Sequence, residues 1–269
     1  MKWLVIGAHP DDPELLFGGI ALQLIPRGRE VVLVSLTDGA LGHHQLAPEA
    51  LRARRALEAR ASAAALGAIF DSLDIPDGEV VPSLESRLRL IALIRRHAPD
   101  AVVTHPPSDY HPDHRYTSQL VADASFLLGV PHCLPEVPAL RREPYFFYAV
   151  AREAYMDGLS PARVMPIDLV FDGFLRALHN HASQMYEWLP WINGWEEPVP
   201  DDGADRIAWL GRRFGPRYER VAELFRNELI RDFGRSGRDA RYAQALFHSP
   251  LGREVPPGFW NDLPDFMRH

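Results

Sequence analysis

Cysteine is almost missing from this chain of 269 residues: Cys133 stands alone. No disulfide can form within the chain, and a centre built on thiolates is excluded, so any metal must be held by His, Asp or Glu. Lysine is as scarce, with Lys2 the single one among 29 basic residues. An excess of positive charge is lacking too, since the formal net charge is −7. That balance argues against a nucleic acid or an anionic membrane as partner and favours a small molecule. No apolar run approaches the roughly 20 residues that span a bilayer. The opening MKWLVIG enters a strand pattern with no cationic stretch and apolar leader before it, so the expected location is cytoplasmic. No GxGxxG loop follows that strand, which removes the usual phosphate cradle of a nucleotide site.

What is present is a hydrophobic content of 46%, ample for a core. Apolar runs at 2–7, 30–37, 68–75 and 100–107 read as buried strands, with further ones at 145–150 and 163–169. Helical patterns cover 13–25, 48–66, 83–98 and 114–128; Pro13 and Pro48 suit first turns, and Gly67 suits a stop. Strands alternating with helices predict the α/β class, a mostly parallel sheet with helices on both faces. Beyond 128 the pattern loosens into a Pro-rich loop and helices near 170–187, 203–213 and 217–231. The Pro-rich, aromatic segment 250–266 is expected to wrap the surface. No repeat or linker divides the chain. One domain is expected over 1–269, with 1–128 as the βαβ core and 129–269 as its elaboration.

Two His/Asp clusters stand out in this frame. GAHPDDPELLFGG (7–19) leaves the first strand, and DYHPDHR (109–115) follows the fourth. In an open parallel sheet, ligands bind beyond the carboxyl ends of the strands, near a switch in strand order. Two such clusters would converge there. A catalytic zinc takes three protein ligands and keeps a position for water. His9, Asp12 and His114 can supply two imidazoles and one carboxylate, although His111 is an alternative to His114. Asp11 is then free to act as general base on a metal-acidified water. His111 can stabilise an oxyanion or protonate a leaving group, and Asp113 can orient His111 through a hydrogen bond. Either cluster alone is compatible with an ordinary polar turn; their joint placement favours a metal site.

The pair of motifs resembles the LmbE-like, or PIG-L, deacetylases, which are zinc-dependent enzymes removing N-acyl groups from amino sugars. SLTDGALG (35–42), RRALEARASAAALG (54–67), LHNHASQ (178–184) and RYERVAELFR (217–226) extend the likeness over most of the chain. Glu is frequent directly after HPDD in the family; here Pro13 stands there and Glu14 follows. Leu16 and Phe17 replace a frequent Gly-Cys pair. The resemblance implies a Rossmann-like fold and one Zn2+ per chain on His9, Asp12 and His114, with another divalent metal as the alternative. It also implies Asp11 as base, His111 as catalytic histidine with Asp113 beside it, and homo-oligomers such as trimers or hexamers. Arg55 falls at a substrate-binding arginine, although Arg54, Arg55 and Glu58 also read as a solvated helix face. Tyr110 is a further candidate contact, as is His43 in GHHQ (42–45). Trp188, Trp191 and Trp195 offer faces for a sugar ring or for core packing. The expected activity is removal of an N-acetyl group from an N-acetylamino sugar or a GlcNAc-type conjugate. The rivals are an amidase of a thiol-sugar conjugate with a larger acyl group, for which a roomy apolar acyl pocket would speak, and a non-catalytic sugar-binding protein.

Overall fold

A computed structural model describes residues 1–150 and 152–260. The first strand, β1 (Lys2–Gly7), alternates its side chains between two packed layers. Trp3 and Val5 enter one core and Leu4 and Ile6 the other, all without solvent contact. This is the two-residue period of a strand buried on both faces, and it explains a continuous apolar run. Strands β2 (Glu30–Thr37), β3 (Ile69–Ile75), β4 (Ala101–Thr104) and β5 (Tyr145–Tyr148) join it in parallel. Two more strands, β6 (Pro161–Pro166) and β7 (Ala243–Gly252), complete a seven-stranded sheet of order β3-β2-β1-β4-β5-β7-β6. β7 runs antiparallel to both neighbours.

The expected α/β class with a mostly parallel sheet is observed, and one sheet runs through both halves of the chain. Helices α1 (Asp12–Leu24), α2 (Pro48–Leu66), α3 (Leu84–His97) and α4 (Pro112–Ser125) connect the first strands. α1 packs in the Trp3 layer and α3 and α4 in the Leu4 layer. The order reverses between β1 and β4, so the chain leaving those two strands opens a crevice where ligands bind in such sheets.

The sequence reading missed β7. His248, Ser249 and Pro250 interrupt its apolar pattern, and its pairing partners lie about 80 residues upstream in β6 and about a hundred in β5. The helix expected over 170–187 is α5 (Phe171–His179) followed by a π-helical turn, Ser183–Trp188. A short α6 (Leu189–Ile192) comes next. The two helices expected over 203–231 are instead α7 (Gly203–Leu224), which runs through Pro216, and α8 (Arg226–Phe233). α9 (Arg235–Asp239) precedes β7. The aromatic segment after β7 does not merely wrap the surface. Phe259 is buried, with its ring 4.7 Å from Tyr145 and 5.7 Å from Phe147. The rest of that segment, 261–266, lies outside the described residues.

Candidate active site

The turn after β1 is shaped by what packs against it. A side chain at Gly7 would strike Asp12 Cβ at 2.6 Å and the Pro13 ring at 2.8 Å, so the residue before Ala8 and His9 must be glycine. Pro13 sits in the first turn of α1, where its missing N–H costs nothing. The backbone N–H of His9 donates to Asp12 Oδ2 at 2.8 Å, which fixes that carboxylate under the His9 ring. At α4 the side chain of the N-cap residue itself does the capping: His111 Nδ1 accepts from the Asp113 N–H at 3.2 Å. His114 lies one turn along the helix, buried.

These two turns bring three side-chain atoms together. His9 Nδ1 is 3.2 Å from Asp12 Oδ2 and 3.3 Å from His114 Nε2, and His114 Nε2 is 3.3 Å from Asp12 Oδ2. Donors about 2.0–2.1 Å from a tetrahedral ion stand about 3.3 Å apart, so the triangle has the dimensions of a zinc face. The outer nitrogens agree. His9 Nε2 is 3.2 Å from Asp77 Oδ1 and 3.5 Å from Asp113 Oδ2, while His114 Nδ1 is 3.0 Å from Asp109 Oδ1. Each ring can donate its outer N–H to a carboxylate and turn its inner lone pair to the centre, the arrangement of histidines that bind metal. His105 also reaches Asp12, at 3.4 Å, but its Nε2 already accepts the Ala8 N–H at 3.1 Å. His111 lies close to the same centre, its ring edge-on to His9 at 4.6 Å.

The electrostatics favour positive charge at this point. Burial opposes protonation of His114, yet Asp12 and Asp109 raise it to about 9. His9 is likewise raised well above its ordinary value, against burial, by Asp113, Asp12 and Asp77. Burial pushes Asp77 up, but its contact with His9 holds it at about 2. His111 moves the other way: burial and the neighbouring His9 and His114 lower it. With Nδ1 accepting from the backbone, a neutral His111 carries its proton on Nε2, the nitrogen left to donate.

Asp11 is held apart from the triangle. Its Oδ1 accepts from Arg55 Nη2 at 2.9 Å, and Arg55 Nη1 donates to the Gly39 carbonyl at 3.0 Å. Gly39 has φ +65°, and a side chain there would occupy the space of the Arg55 guanidinium. Arg55 is 2% exposed and Glu58 8%, so the reading of a solvated helix face does not hold for them. A cavity of about 300 Å³ opens over this group, lined by Asp11, Tyr110, His111, Arg55, Gln184 and Trp188 among others. Two expected placements differ. His43 does not line this cavity. Its Nε2 contacts Glu187 at 3.0 Å, and its Nδ1 accepts two backbone N–H groups, so its ring braces the loop. The Asp113 carboxylate faces His9 and accepts the Gly78 N–H at 2.8 Å; only its backbone touches His111. Of the tryptophans, Trp188 lines the cavity, Trp191 stacks on His44 at 4.7 Å, and Trp195 packs on Trp209 at 5.6 Å.

Sequence reasoning missed Asp77 and Asp109. Asp77 follows β3 at the same sheet edge as the two motifs, and Asp109 stands two residues before His111. The rule that located the histidines, polar residues just beyond strand ends, reaches both.

Comparison with known proteins identifies the family. The family described as PIG-L, GlcNAc-PI de-N-acetylase, matches residues 4–125. Diacetylchitobiose deacetylase of Thermococcus kodakarensis is 31% identical over 202 residues, 71% of this chain and 74% of that protein. The N,N'-diacetylchitobiose deacetylase structure from Pyrococcus horikoshii superposes with a TM-score of 0.70 at 24% identity, covering 97% of this chain and 85% of that one. GalB, the 4-carboxy-2-hydroxymuconate hydratase of Pseudomonas putida, shares the fold with a TM-score of 0.71 at 22% identity over 95% of this chain and 99% of its own. With the fold, both motifs and a relative of this identity in agreement, the chain belongs to the PIG-L, or LmbE-like, family of N-deacetylases.

Proposed function

We propose that this protein is a zinc-dependent hydrolase that removes the N-acetyl group from an N-acetylamino sugar or a conjugate of one. The observation that carries the reading is the triangle of His9, Asp12 and His114 atoms beside a carboxylate, Asp11, that is not part of it. The resemblance in sequence supports the substrate class, since the Thermococcus relative is named for diacetylchitobiose. His9, Asp12 and His114 would hold a divalent cation, which would supply Lewis acidity at the acyl carbonyl and acidify the attacking water. The chain's own groups do the rest. Asp11 accepts the proton of the water and hands it to the departing amine. Arg55 keeps the Asp11 carboxylate turned to the cavity, with Gly39 fixing the guanidinium. His111 donates from Nε2 to the developing oxyanion. Asp77, Asp113 and Asp109 hold the two ligand imidazoles in the tautomers that binding needs.

The test is acetate release from a panel of N-acetylated glycosides by zinc-loaded and by chelated protein. Release that needs the metal, and that falls on the order of 10²–10⁴-fold in Asp11→Asn with zinc content unchanged, is the expected result. Full turnover by the chelated protein, or by Asp11→Asn, would overturn the reading.

A further inference from the structure

The cavity over the triangle does not end there. It shares Asp12, Leu15, Tyr110, His114 and Leu189 with a second space of about 150 Å³. That space in turn shares Leu15, Leu16, Arg152, Phe214 and Arg217 with a third of about 410 Å³, between α7 and β7. The three therefore form one groove, with Leu15 in the wall of each. Its far end carries an apolar strip of Leu16, Val150, Met156, Val221 and Leu224, flanked by Glu153, Arg213 and Arg220. Its throat carries the guanidinium groups of Arg152 and Arg217. Arg213 and Arg220, in the same far wall, are neutralised by Glu197 at 2.9 Å and Glu153 at 2.8 Å. Among the described residues, Arg152 and Arg217 have no carboxylate within ion-pair distance. Both lie beside rings: Arg152 is 3.7 Å over the centre of Tyr110, and Arg217 is 5.7 Å from that of Tyr218. The Tyr110 ring covers one face of the Arg152 guanidinium and leaves its in-plane N–H donors open, while Arg217 stands too far from Tyr218 to be stacked on it. Two such forks beside an apolar recess suit an oxyanion attached to a hydrocarbon.

We propose that this groove binds the aglycone of the substrate, and that the aglycone pairs a carboxylate or phosphate close to the glycosidic bond with an apolar extension. The oxyanion sits between Arg152 and Arg217, and the extension fills the recess. The inference rests on the deacetylase reading for what occupies the metal end. A long acyl chain is the rival occupant of the recess. It carries no charge for the two guanidinium groups that it would have to pass, so the aglycone is favoured.

Binding of amine products, which cannot be turned over, tests the groove by itself. The probes are methyl glucosaminide, octyl glucosaminide, an octyl glucosaminide with a carboxylate beside the glycosidic oxygen, and octyl glucosamine-1-phosphate diester. Isothermal titration calorimetry on the intact protein is expected to show at least one anionic octyl probe binding about 100-fold more tightly than the methyl probe. The tighter of the two anionic probes identifies the oxyanion. Arg152→Gln and Arg217→Gln should each weaken that probe about tenfold while changing octyl glucosaminide less than threefold. Equal binding of all four probes, or equal losses for charged and uncharged octyl probes, overturns the proposal. So does a preference for octanoate over acetate release from N-acylated methyl glucosaminides with no gain from octyl aglycones, which would give the recess to the acyl group. Acetate release from methyl N-acetylglucosaminide, measured in parallel, bears only on the deacetylase reading. Its absence leaves the binding result intact.

Discussion

At the scale of single residues, Arg55 separates what composition suggests from what packing enforces. An arginine on an amphipathic helix is ordinarily a solvated charge, and a substrate contact at such a position would affect binding first. Here the side chain crosses from α2 to Asp11 and is shut in by Gly39. Its effect is therefore exerted through the proposed base. Arg55→Ala is expected to lower kcat by about 10²-fold, the scale of a misplaced catalytic group, with KM changed less than about threefold. Arg55→Lys should restore only part of the rate, because one ammonium cannot span Asp11 and the Gly39 carbonyl together. Steady-state kinetics on a substrate from the glycoside panel checks both variants. A raised KM with unchanged kcat would instead make Arg55 a direct substrate contact.

At the scale of elements, the π-helical turn Ser183–Trp188 is what closes the site from the α2 side. Glu58 accepts from the Ser183 N–H at 2.9 Å and its hydroxyl at 2.6 Å. Arg54 donates to Glu187 Oε2 at 2.9 Å, and His43 meets the same oxygen at 3.0 Å. The Arg54 hydrogen bond holds the Glu187 carboxyl below its ordinary value of 4.5. A carboxyl lowered in the folded state stabilises it above the unfolded value, and that contribution is lost as the pH falls through the folded value. Glu187→Gln should therefore unfold at lower urea than the parent near pH 6, with the gap closing as pH falls below about 4. Urea midpoints across that range read it directly. A gap independent of pH would mean that shape, rather than charge, holds the turn. The contact joins residues more than 130 positions apart, so no local pattern in either segment announces it.

At the scale of the whole molecule, the triangle joins the ends of two strands, and an ion bound there links the halves of the parallel sheet. A ligand that binds only the folded state stabilises it, by about 2.7 kcal/mol at 100 times its Kd. Zinc should raise the Tm of the parent protein, and a chelator should reverse the rise. The rise should vanish in Asp12→Ala and His114→Ala and persist in His111→Ala. Scanning calorimetry of the metal-free and zinc-loaded proteins separates the two histidines. Equal loss in His111→Ala and His114→Ala would show that both hold the ion.

The sequence by itself determined the parallel part of the fold and the two motifs that the candidate site is built from. Both follow from local signals: continuous apolar runs for the strands, prolines and glycines at helix ends, and polar residues where the chain leaves β1 and β4. His9, Asp11, Asp12, His111 and His114 are legible because each of the two turns carries its own short motif. The tertiary structure alone decided the partners of those residues. It set Asp113 and Asp77 on His9, Asp109 on His114, Arg55 on Asp11, and His43 on Glu187. It also decided β7, whose neighbours in the sheet come from distant chain, and the docking of Phe259 against Tyr145 and Phe147. The division has a physical cause. A strand, a cap or a turn is fixed by interactions within a few residues. A buried carboxylate or an antiparallel edge strand is fixed only when the folded chain brings up the group that satisfies it.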